Sequence, residues 1–238
     1  AATGKLCCVP RSSPQVTFPS RSVLLRTLGT VDLRESASEP QILGLGKPLA
    51  LLIYLSAAPA RTATRSLLIS LLWSDLEHDA AKHALRQTIW YIRRRVGREL
   101  LVTTGDTLQL IPDVSVDRDA LLAASAAGRH ADVVSLYAGP FVPNFATPGG
   151  SGFEDWCALE RRRLLQVFRH AAEATIADQL SKGQARAAID LARRLRDQDP
   201  YDEGGWRLLL EACASANDAL AARAEGEALA QLAEREEL

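Results

Sequence analysis

The sequence predicts a mostly α-helical protein of two parts, with a small β component confined to the first. Three observations predict it. Alternating apolar stretches, three helical patterns and a hairpin pattern follow one another between residues 23 and 113. From about Ser115 onward the pattern is helical to the end. Within that second part, Ala174 and Leu208, Gly183 and Asn217, and Ala188 and Ala222 are each 34 positions apart. That is the period of a tetratricopeptide unit.

In chain order, residues 1–22 are rich in Ser, Pro and Arg without period, and read as a flexible leader. "VLLRTLGTVDL" (23–33) reads as two short strands about Gly29. "QILGLG" reads as a third. "GKPLALLIYLSAAP" follows as a helix, with Pro48 at its start and Pro59 at its stop. Next, Thr62 or Thr64 caps a helix whose apolar stripe is Leu67, Leu68, Leu71 and Leu72. A third helix spans about 79–96 and stops at Gly97. "ELLVTTGDTLQLIPD" (99–113) is a hairpin signal. This order is that of a winged helix-turn-helix, residues 23–113. Residues 114–238 then form an all-α domain of tetratricopeptide-like hairpins. In "GQARAAIDLARRLRDQDPYD", a small-residue turn, an Ala-rich helix and a closing Asp-Pro recur as in such units, with Trp206 early in the next helix. "YAGPFVPNFATPGGSGF" (137–153) reads as a Pro/Gly loop.

The chain has 238 residues, 47% hydrophobic and 24% charged, ordinary values for one or two globular domains. Its net charge of −1 conceals an asymmetry. Residues 1–113 carry fourteen Lys and Arg against nine Asp and Glu, and the remainder carries fourteen against twenty. A basic first half points to nucleic acid and an acidic second half to protein contacts; chance asymmetry between two helical domains is the plainer alternative. Cys7, Cys8, Cys157 and Cys213 lack metal-ligand spacing and fit idle thiols of a reducing cytosol. No apolar run approaches the ~20 residues of a membrane helix, and the first residues show no signal-peptide core.

The third helix carries the functional signal. At 100° per residue, Ala81, Leu85, Ile89, Ile92 and Val96 share one face, which must pack on the preceding helix. His83, Arg86, Gln87, Trp90 and Arg94 fall opposite, flanked by Lys82 and Arg93. Arg and Gln are common base readers in a major groove, and flanking cations neutralise phosphate. Most charge runs are only solvated faces, but a large exposed aromatic such as Trp90 is unusual on one. Lys47 at the first helix start, and Thr64 and Arg65 at the second, are further DNA-side candidates because helix N-termini meet phosphate. Thr103, Thr104 and Thr107 at the wing tip complete the set, with simple turn chemistry as the alternative for each.

Catalysis has no comparable signal. There is no GxxxxGK[ST], HExxH or GxSxG. His78 and His83 are five apart, off one helix face, and His130 and His170 lie on separate helices. Asp199, Asp202 and Glu203 read as capping residues. No catalytic residue, metal or cofactor is expected.

"KPLALLIYLSAAPARTATRSLLISLLWSDLEHDAAKHALRQTIWYIRRRVG", with "LLVTTGDTLQL" as wing, resembles the winged-helix domain of the Streptomyces antibiotic regulatory protein family. "VDRDALLAASAAGRHADVVSLYAGPFVPNF" and the stretch from "FEDWCALERRRLL" onward resemble its bacterial transcriptional activator domain. The resemblance covers about residues 23–238. It implies an OmpR-type winged helix that binds direct repeats in double-stranded DNA, often as side-by-side dimers, and recruits RNA polymerase. It places Lys47, Arg65, Arg86, Gln87, Arg93 and Arg94 on the DNA side. The chain departs from the family pattern at Trp90-Tyr91 and at Thr107-Leu108. The sequence contains no Met, and "ALAQLAEREEL" ends where the family usually continues, so a trimmed chain is expected. Two other readings stay open: a protein-interaction adaptor with a degenerate winged helix, and the regulatory head of a larger signalling protein.

Overall fold

The computed structural model describes residues 23–35, 38–97 and 99–236. The leader expected over 1–22 lies outside them. Along the chain run β1 (Val23–Arg26), β2 (Asp32–Arg34), α1 (Lys47–Ala57), β3 (Thr62–Thr64), α2 (Arg65–Leu72), α3 (His78–Val96), β4 (Leu101–Thr104), β5 (Thr107–Leu110) and β6 (Val114–Val116). Then come α4 (Asp117–Ala126), α5 (His130–Leu136), α6 (Ser151–Ser181), α7 (Ala185–Gln198), α8 (Glu203–Ser215) and α9 (Ala219–Glu236). The protein is mostly helical, with its strands confined to the first half.

β1 buries Val23 and Leu25 on alternate positions and pairs antiparallel with β2. Its other edge takes β6 in parallel. A second sheet orders β3, β5 and β4, all antiparallel. β3 and β6 were not expected, and "QILGLG" is not a strand. There Ile42 donates a single backbone bond to Leu33, and the chain bends through Gly44 and Gly46 into α1. Pro48 sits in the first turn of α1, and Ala58 ends it in extended backbone before Pro59. α1 is apolar nearly all round: Leu49, Ala50, Leu51, Leu52, Ile53 and Leu55 are all buried. Such a helix belongs at the centre of a core, and α2, α3 and β5 pack around it.

The α2 stripe needs correction. Leu68 and Leu72 are buried, Leu71 is half-buried and Leu67 is exposed. The reason is a second neighbour. α2 packs against α6, where a Cβ on Gly152 would stand 3.3 Å from Leu71. The two parts of the chain therefore share one continuous core. Tyr54 of α1 meets Trp156 of α6 edge to face at 5.0 Å. The Asp117 carboxylate accepts the backbone N–H of Thr27 and Leu28, and the Thr27 hydroxyl at 2.6 Å. Gly29 takes a φ of +72° where its backbone passes Ala138, and a Cβ there would lie 2.6 Å from the Ala138 carbonyl oxygen. Strain and clash together make Gly29→Ala cost about 2 kcal/mol or more, read as a lower midpoint in urea. An unchanged midpoint would mean that this crossing carries no tension.

The second half stacks helical hairpins. α6 turns into α7 at Gly183 and α8 into α9 at Asn217, both at positive φ and 34 residues apart. The bonds repeat with them. Gln184 N–H donates to the Gln179 carbonyl, and Asp218 N–H to that of Cys213. α4 turns into α5 the same way, Arg129 donating to Ala124 past Gly128 at φ +68°. This left-handed closure satisfies the last carbonyls of each helix. Asp202 caps α8 by accepting from Gly205 at 2.7 Å, as its sequence position suggested. Cys157 is buried in α6, and desolvation pushes its thiol up to about 12. Iodoacetamide at pH 8 should leave it unmodified in the native chain by peptide mapping, and label it after denaturation.

Candidate nucleic-acid interface

α3 runs from His78 to Val96 and stops on Gly97 at φ +68°. Its buried residues are the five of the predicted stripe: Ala81, Leu85, Ile89, Ile92 and Val96. The opposite face is open. Arg86, Gln87, Trp90 and Arg94 are all exposed, Trp90 by 59%. Within this face the side chains organise one another. His83 and Gln87 are joined by a 2.8 Å hydrogen bond. The Arg94 guanidinium lies 5.2 Å from the centre of the Trp90 ring, holding the indole along the helix. Lys82 leans on Asp79 at 3.5 Å, an exposed pair that holds it weakly.

The other candidates are distributed differently. Arg93 donates to the Leu101 carbonyl at 3.0 Å and pairs with Glu99 at 3.2 Å, so it ties α3 to the base of β4. Lys47 points its ammonium at Trp73, 5.3 Å from the ring centre at the far end of α2. Thr64 caps α2, accepting from Leu67 at 3.3 Å, while Arg65 N–H donates to the Asp106 carbonyl at 2.8 Å. Two N–H groups of the first turn of α2 are thus used inside the chain. That Arg65 bond also ties the tip of the β4–β5 hairpin to α2. Thr107 gives its hydroxyl to the Thr104 carbonyl at 2.8 Å, which is turn chemistry. Thr103 and Thr104 are exposed on β4.

The structure therefore brings Arg65, Lys82 and Arg86 around one cleft between α2 and α3, and sets His83, Gln87, Trp90 and Arg94 on the outer face, with Arg86 at the edge where face and cleft meet. Tyr91, singled out in the sequence beside Trp90, is exposed; sequence reasoning missed the exposed Leu45, and Arg95, which reaches the Ile42 carbonyl at 3.2 Å. His130 and His170 lie on separate helices, as the sequence suggested, and their imidazoles meet edge to face at 5.4 Å between α5 and α6. Among the described residues no three His, Cys, Asp or Glu gather as metal ligands, and no helix is long and apolar enough to cross a membrane.

Residues 113–235 match the family model described as bacterial transcriptional activator domain. The chain belongs to that family. That family is one of transcriptional-activator-type regulators, which are in general non-enzymatic. The matched span begins just before β6 and so takes in β6 and α4 to α9. The architecture also resembles a solved structure of EmbR from Mycobacterium tuberculosis, in complex with low affinity phosphopeptide. The two share 21% identity at a TM-score of 0.64 over 90% of this chain. The chain spans about 60% of the length of that EmbR chain. At this identity the likeness is one of fold. No curated protein matches the sequence.

Proposed function

We propose that the chain is a DNA-binding transcriptional regulator in which residues 23–113 form an OmpR-type winged helix and residues 114–238 the activator domain. α3 enters the major groove of a promoter repeat, and the β4–β5 hairpin runs along the adjacent backbone. The activator domain supplies dimer or RNA polymerase contacts. One observation carries this reading: the face of α3 opposite its buried stripe presents Arg86, Gln87, Trp90 and Arg94 to solvent together. Arg and Gln there offer the paired donors and acceptors that base edges require. The test is selection from randomised duplexes, followed by titration across a salt series. A repeated motif, with affinity falling steeply as salt rises, is the expected result.

A second reading is favoured by one observation. Trp90, Tyr91 and Leu45 expose 59%, 40% and 62% of their surface, more apolar area than a purely phosphate-facing helix needs. In that reading the winged helix is a protein adaptor. Absence of DNA binding even at low salt would favour it.

A further inference from the structure

A cavity of about 310 Å³ opens between α2 and α3 beside the β4–β5 turn. Its size falls at the lower end of small-molecule sites. Its chemistry is divided. Ile69 and Leu85 make an apolar floor, and Leu85 is buried. The rim carries Arg65, Lys82 and Arg86 against one carboxylate, Asp106. Among the described residues the guanidinium groups of Arg65 and Arg86 have no hydrogen bond or ion pair, so both are free to take a ligand. Ser66, in the first turn of α2, places a hydroxyl at the same mouth, where the helix dipole adds positive potential. A bare phosphate would leave the floor uncovered, and a neutral hydrocarbon would leave the cations unused.

We propose that this cavity is a binding site for a small amphipathic anion: a compact aromatic body on Ile69 and Leu85, with a carboxylate held by Arg65 and Arg86. Its consequence rests on the DNA-reading proposal. A ligand there engages cations assigned to DNA and lies between the two helices of the helix-turn-helix, so it weakens DNA binding. Ligand binding itself needs no DNA.

The test uses 1-naphthoate as probe and 1-naphthalenemethanol as its neutral counterpart, titrated calorimetrically into the full chain without DNA. Naphthoate should bind one to one, about tenfold or more tighter than the alcohol, as a charge-assisted pair requires. Arg65→Gln with Arg86→Gln should remove that preference, while Arg223→Gln on the distant α9 leaves it intact. Ser66→Phe, at an exposed position, should fill the mouth and weaken both probes without changing the charge. Equal affinity for the two probes, no saturable binding, or full binding by the double variant would overturn the site. Naphthoate binding by a chain that selects no DNA would sink the DNA reading and leave the site standing. DNA binding without naphthoate binding would sink the site alone.

Discussion

Arg86→Ala combined with Arg94→Ala should lower affinity for the selected duplex by about a hundredfold or more at physiological salt. A bidentate contact to a base edge is worth about 1–3 kcal/mol of discrimination, and the two positions lie two turns apart on the same open face. The loss should not be a folding defect. Both side chains are exposed, and neither joins an ion pair among the described residues, so the thermal midpoint should move little. The salt slope assigns each role. If an arginine touches phosphate, its removal lowers the slope by roughly one. If it reads a base, the slope holds and selectivity relaxes at one position. Arg94 has a second consequence, because it lies over Trp90. Losing it frees the indole, so its removal should alter Trp90 fluorescence as well as binding. Arg93→Ala is the contrasting case. Its bonds run to Leu101 and Glu99, so its loss should loosen the hairpin and act on stability first. A double variant that binds like the wild type would remove α3 from the interface.

The legibility of these features in the sequence follows their range. The buried face of α3 was legible residue by residue, because helical periodicity is local and five apolar positions over 19 residues leave little ambiguity. The turns at Gly183 and Asn217 were legible as a spacing, and the structure gives that spacing a cause in repeated left-handed closures. β3 and β6 were not legible. Each has three residues, as β2 does, but β2 lies just across the Gly29 turn from β1, whereas these two exist only because a distant partner supplies the ladder: β5 for β3, and β1 for β6. "QILGLG" failed for the converse reason: Leu43 is drawn into the core and Leu45 faces solvent, but beyond the one bond from Ile42 to Leu33 no partner strand builds a ladder on it. Leu67 followed the helical period of its neighbours and yet faces solvent, because α2 has to serve both α1 and α6. Lys47 was placed from its helix terminus and from the family resemblance, and only the tertiary position of Trp73 shows where its ammonium goes.

Glu160→Ala should be the most destabilising single change in the helical half, by about 3–5 kcal/mol in urea unfolding. Arg118 Nε donates to Glu160 at 2.7 Å, and both side chains are more than 90% buried. Removing the carboxylate leaves a guanidinium in the core with only Asp119, at 3.0 Å, to answer it. Asp119 is already shared with Arg61, whose other nitrogen donates to the Val114 carbonyl. The chain of contacts runs from the turn after α1, through α4, to α6, and so crosses between the two halves. Arg118→Met with Glu160→Leu should recover most of the loss, because apolar groups of similar volume need no partner. The double variant also separates stability from orientation. If the ion pair only stabilises, it should unfold in one transition and bind DNA as the wild type does. If the pair also fixes how the activator domain carries the winged helix, stability should return while affinity for paired repeats does not. The continuous packing of α2 on α6 favours the first outcome, since that contact, with Tyr54 against Trp156, already holds the two halves together without any charge.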